Sequence, residues 1–123
     1  MPKSILIADD HDAVRKLTRL FLESQIDLEV CGEAVDGVEA IEKAKQLKPD
    51  LVVLDLAMPR LNGAEAALVL KGLMPRMPIV IFTLYSELVS SSLSSTIGVD
   101  AVLSKPDGGW KLVECVRSLL QPA

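Results

Sequence analysis

The chain has 123 residues, half of them hydrophobic and 24% charged, which suits one globular domain with a real core and argues against wholesale disorder. Its formal charge is −4 and its Lys and Arg residues are scattered, so the chain by itself is not suited to gripping a phosphate backbone or, with no apolar run near the ~20 residues that span a bilayer, to crossing a membrane. MPKSILIADD does not read as a secretory signal, Cys31 and Cys115 are far apart, and one His without a CxxC leaves zinc no ligand set, so a reduced, cytoplasmic setting is expected.

The apolar run over residues 4–8 predicts a buried strand that ends on Asp9, Asp10 and Asp12, with only His11 among them. Val14, Leu17, Leu20, Phe21 and Ser24 follow the spacing of one helix face, read as the core side of a first helix. Residues 29–34 are a weaker strand. Asp36 and Glu39 then have capping-box spacing before Ala40, Ile41, Ala44 and Leu47, and Pro49 stops that helix. Leu51–Leu54 is a buried strand ending at Asp55; Gly63–Leu73 is a third helix between Pro59 and Pro75. Residues 79–82 form the fourth strand, with Thr83 at its exit. Residues 86–97 are serine-rich but keep a stripe of Leu88, Val89, Leu93 and Ile97, predicting a fourth helix that is weak in isolation. Residues 100–103 are the fifth strand, leading into Ser104, Lys105 and Pro106, and residues 106–120 the last helix, with Leu112, Val113, Val116, Leu119 and Leu120 inward.

Five strands alternating with five helices predict an α/β fold, a doubly wound parallel sheet in a single domain over residues 1–123. Ligands of such sheets bind outside the carboxyl ends of the strands. Asp9, Asp10, Asp55, Thr83 and Lys105 all fall there; Glu33 and Asp36, at the exit of the second strand, are assigned to the helix cap. Three crowded carboxylates call for a cation, and oxygen ligands without His or Cys select Mg²⁺ or Mn²⁺. A carboxylate can also act as a nucleophile towards phosphorus, with a metal, Lys105 and Thr83 neutralising the phosphoryl oxygens. Singly these residues are ordinary: Asp9 and Asp10 could cap a helix, a role Asp12 fits better, Thr83 could be a plain strand residue and Lys105 a surface charge. His11 reads as a partly exposed bystander and Trp110 as packing or partner surface.

Four motifs, ILIADDH, VVLDLAMPRLNG, IVIFT and LSKP, occur in the order and spacing of the bacterial response-regulator receiver domain, which the whole chain resembles; its opening is similar to the nitrate-response (LuxR-type) class. The resemblance implies a flavodoxin-like sheet of order 2-1-3-4-5. It makes Asp55 the phosphoacceptor for a histidine kinase, with Asp9, Asp10, Asp55 and the carbonyl of Ala57 holding Mg²⁺ and Thr83 and Lys105 meeting phosphoryl oxygens. It also implies a Pro59–Gly63 loop after the phosphoacceptor and a cis Lys105–Pro106 bond. The expected output runs through the face of the fourth helix, fifth strand and last helix, to a DNA-binding domain or a downstream protein, with homodimerisation on phosphorylation; no output domain is expected within the chain. Such a domain modifies only itself and is not an enzyme.

Two positions depart from the pattern. Leu84 stands where a small residue is usual and is expected to narrow access to Asp55. Val102 stands where Tyr or Phe usually couples to the Thr, with Tyr85 as a partial substitute. These keep open a receiver-like binding module with little or no phosphotransfer. A Mg²⁺-dependent aspartate-nucleophile phosphatase is more remote, because that class wants a second Asp where Ala57 stands. No GxGxxG or GxxxxGK supports dinucleotide or P-loop chemistry.

Overall fold

The computed structural model describes residues 1–84 and 97–121. Both alternating faces of the central strands are apolar. In β1 (Lys3–Ala8), Ile5 and Ile7 enter one layer of the core, and Leu6 and Ala8 the other. Leu51 and Val53 of β3 (Leu51–Leu54) part in the same way from Val52 and Leu54. Val80 and Phe82 of β4 (Ile79–Thr83) part from Ile79 and Ile81. Strands without a polar face must be covered twice. α1 (Asp12–Glu23) and the C-terminal helix α4 (Gly109–Leu120) cover one side through Leu22, Leu112, Val113 and Val116. α2 (Gly37–Leu47) and α3 (Gly63–Leu73) cover the other, where Ala40, Ala44, Ala66 and Ala67 let the helices lie close to the sheet.

With β2 (Leu28–Ala34) and β5 (Ala101–Ser104) at the edges, the sheet is wholly parallel and ordered β2-β1-β3-β4-β5. This is the expected flavodoxin-like order. The chain leaves β1 towards β2 and returns to its other side as β3, so the order reverses between their adjacent carboxyl ends.

Each predicted strand lies within a residue of the observed one. Asp100 falls outside β5, its carboxylate accepting from the Ile79 N–H and from Lys71 Nζ, each at 2.8 Å. The predicted helix over 106–120 is interrupted: Lys105–Asp107 form one 3₁₀ turn, Gly108 takes a φ of 93°, and only then does α4 start. The Lys105–Pro106 bond is trans, not cis as the family resemblance implied; Pro106 enters that turn with its ring-fixed φ already suited to it.

The largest correction concerns α1. Leu17 and Leu20, read as core, are 54% and 67% exposed, while Arg15, Thr18 and Leu22 are buried. At α2, Asp36 caps the helix as expected, accepting from the Glu39 N–H at 2.8 Å, but Glu39 reaches back to the Val35 N–H instead of that of Asp36. The reciprocal capping box occurs at α3, between Asn62 and Glu65. Four α-helices lie within the described residues. The helix expected over 86–97 and Tyr85 fall outside them, apart from Ile97, which is buried beside α3.

Candidate functional site

The reversal point brings the acidic residues together. β1 ends at Ala8, and the Asp55 N–H donates to the Ala8 carbonyl at 2.9 Å, so Asp9 and Asp55 leave adjacent strands side by side. Lys105 arrives from the end of β5. Its Nζ lies 2.7 Å from Asp9 Oδ2 and 3.2 Å from Asp55 Oδ2, and all three side chains are at least nine-tenths buried. Asp10 is more open. Thr83 closes β4 fully buried, paired in register with Ser104. Ala57 lies exposed in the loop after β3. Of the residues singled out from sequence, Asp9, Asp10 and Asp55 form one cluster with Lys105 against it, and Thr83 ends the neighbouring strand.

Charge does not balance within this cluster, since three carboxylates face one ammonium. Asp55 Oδ1 is buried and has no hydrogen-bond partner among the described residues. An orphaned buried carboxylate oxygen is costly, and a water, an ion or an incoming ligand group can satisfy it. Ligating atoms of Asp9, Asp10, His11 and Asp55 all lie within 4.8 Å of one another, which suits a small divalent cation. An oxygen-rich donor set fits Mg²⁺, and Asp9, Asp10 and Asp55 are the residues that would hold it.

The turn carrying Asp9 and Asp10 is braced from beneath. The buried guanidinium of Arg15 donates to the Asp9 carbonyl at 2.8 Å and to Glu33 Oε1 at 2.6 Å, and also bonds Asp12. Burial weakens ionisation of Arg15, but its bonds to Glu33 and Asp12 outweigh this and raise its pKa. Burial likewise opposes ionisation of Glu33, yet bonds from Arg19 and Arg15 hold its carboxyl below the usual range. Glu33 is therefore a bridge between two arginines and not the helix cap assigned from sequence. Asp12 starts α1 as expected and puts an acid in its first turn, but the N-cap position is His11, whose side chain makes no capping bond. Sequence reasoning missed Arg15, although its phase with Thr18 and Leu22 was an available signal.

Gly63 backs the site. A Cβ there would stand 2.1 Å from the Asp55 carbonyl oxygen, so only glycine lets α3 begin directly behind that residue. On the other flank an apolar cleft of about 480 Å³ opens beside Lys105, lined by Val14, Leu17, Phe21 and Leu84. Leu84 is 56% exposed on its rim. Val102 is partly buried in β5 and packs against the core.

Residues 5–117 match the family model described as the response regulator receiver domain. The response regulator protein VraR of Staphylococcus saprophyticus is 37% identical over 117 residues; the match covers 95% of this chain and 56% of that protein, so the chain spans about half the length of such relatives. Among solved structures, the response regulator domain of Thermotoga maritima CheB superposes with a TM-score of 0.89 at 29% identity, over 99% of this chain and all of that one. A two-component response regulator of the LuxR family from Aurantimonas gives 0.89 at 28% identity, over 98% of this chain and 86% of its own.

Proposed function

The chain belongs to the response regulator receiver family, and from that premise we propose that it is a phosphorylation-dependent signalling switch whose phosphoacceptor is Asp55. One observation carries the reading: Lys105 holds Asp55 by Oδ2, and among the described residues no group bonds its buried Oδ1. A carboxylate oxygen of Asp55 attacks the phosphorus of a phosphohistidine on a histidine kinase. The P–N bond breaks, the imidazole leaves with its electron pair, and an aspartyl phosphate forms. Lys105, already between Asp9 and Asp55, turns to a phosphoryl oxygen, and the Thr83 hydroxyl donates to another. Asp9, Asp10, Asp55 and the Ala57 carbonyl would hold Mg²⁺, which would supply positive charge against the phosphoryl oxygens. Water later attacks the phosphorus and restores the carboxylate with release of inorganic phosphate. The domain thus modifies only itself and turns over no separate substrate.

Among the described residues no helix is long and apolar enough to cross a membrane, and we place the domain in the cytoplasm with its kinase. Output passes through a face that includes β5 and α4 to a DNA-binding domain or a downstream protein, with homodimerisation on phosphorylation. The LuxR-family neighbour supports the transcriptional form. Leu84 on the rim and Val102 packed against the core favour the second reading, a binding module with little phosphotransfer.

Incubation with acetyl phosphate and Mg²⁺, followed by intact mass, separates the two. One phosphoryl adduct on the wild type, lost in Asp55→Asn, is expected. No adduct from acetyl phosphate or from a phosphorylated kinase leaves the binding module.

A further inference from the structure

The imidazole of His11 lies at the exposed edge of the carboxylate cluster. Its Nδ1 lies 3.2 Å from Asp10 Oδ1 and 3.5 Å from Asp9 Oδ1. Adjacent ligands of an octahedral cation with bonds of about 2.1 Å are about 3 Å apart, so both spacings are close to edges of one coordination sphere. Three further features favour that use. The His11 backbone N–H donates to Asp9 Oδ1 at 2.9 Å, tying residue 11 to the Asp9 carboxylate. The side chain occupies the N-cap of α1 without making the capping bond, so the helix does not employ it. Across the cluster, buried Asp55 Oδ1 has no hydrogen-bond partner among the described residues, a second and separate reason to expect a positive group at this site.

We propose that His11 Nδ1 is a cation ligand, and that this nitrogen moves the site's preference from Mg²⁺ towards borderline divalent ions such as Mn²⁺, Co²⁺ and Ni²⁺. The proposal rests on reading Asp9, Asp10 and Asp55 as a cation site. Carboxylate and carbonyl oxygens alone suit Mg²⁺, which forms poor bonds to nitrogen. Imidazole adds affinity in the order Mn²⁺, Co²⁺, Ni²⁺ while adding little for Mg²⁺. The consequence is a switch whose loading follows the supply of a transition metal as well as of Mg²⁺.

The test is calorimetric titration of the phosphoryl-free wild type, His11→Asn, Asp10→Asn and Asp55→Asn with MgCl₂ and with CoCl₂, joined to proton NMR of the Co²⁺-loaded proteins. The chain has a single His, so a hyperfine-shifted imidazole resonance is unambiguous. His11 is 65% exposed by its side chain, so its replacement leaves the fold intact. The expected result is a loss of about tenfold or more in Co²⁺ affinity in His11→Asn, with Mg²⁺ affinity changed less than about twofold, and a shifted imidazole resonance in the wild type. Equal effects on both ions, or no shifted imidazole, overturn the proposal and leave His11 as a surface partner of Asp10. A different result sinks the cation reading itself: neither ion binds the wild type, or both bind unchanged in Asp10→Asn and Asp55→Asn.

Discussion

Arg60 is held at a φ of 65°, a conformation that side chains rarely adopt, and there it makes a two-pronged ion pair. Its Nε and Nη2 donate to Asp36 Oδ2 and Oδ1 at 2.8 and 3.2 Å, while Asp36 Oδ1 also caps α2. One carboxylate thus ties the start of α2 to the loop that follows Asp55. The bond from Arg60, and then that from the Glu39 N–H, lower the Asp36 pKa from its ordinary 3.8. A carboxyl whose folded pKa is depressed contributes stability in full above its unfolded value and loses it as pH falls through the folded one. Arg60→Gln should therefore be less stable than the wild type at pH 7, and the gap should close below pH 3.8. Urea denaturation across that range measures it; a gap that persists in acid means the backbone at residue 60, not the ion pair, is responsible. The Asp36 cap was legible because Asp and Glu three residues apart form a local pattern. Its partner was not, since Arg60 is 24 residues away and meets it only where two loops converge at the sheet's reversal point. The same holds for Glu33 and Arg15, 18 residues apart.

α1 shows what periodicity conveys about an element and what it does not. Val14, Leu17, Phe21 and Ser24 share one helical stripe; Arg15, Thr18 and Leu22 share another about 100° away. Composition favoured the first, yet the structure buries the second, because Leu22 completes the layer formed by Leu28, Leu112 and Val116 while Arg15 is drawn under the Asp9 turn. The apolar stripe instead lines the cleft beside Lys105, with the Phe21 and Trp110 rings edge to face at 5.3 Å. Leu22→Ala should cost about 2–5 kcal/mol in urea denaturation, as a cavity-forming core truncation does. Leu20→Ala, at a position 67% exposed, should stay within about 0.5 kcal/mol. Equal costs would restore the phase read from sequence. Strands were easier to place, because a continuous aliphatic run buried on both faces needs no choice of face. The start of α4 was obscured because Pro106 opens a turn as readily as a helix, and Gly108 shows its positive φ only in the folded chain.

At the scale of the molecule, the fold concentrates like charge at one end of the sheet. Lys105 compensates Asp9 and Asp55, whereas among the described residues Asp10, partly exposed, pairs with the His11 imidazole. The arrangement serves the proposed phosphoryl site at the expense of the cation-free fold, a common tension between stability and function. Asp10→Asn should then be more stable than the wild type by about 0.5–2 kcal/mol without divalent ions, since it removes repulsion and keeps the shape of the side chain. Mg²⁺ should reverse the order. An ion that binds only the folded state adds about 2.7 kcal/mol at a hundred times its Kd, and a variant with a damaged site forgoes most of that gain. Urea denaturation of both proteins, with chelator and with saturating MgCl₂, gives the four stabilities required. If Asp10→Asn is the less stable protein in chelator, the carboxylate is satisfied within the fold by His11 alone, and crowded charge is not what makes this end of the sheet receptive to a cation.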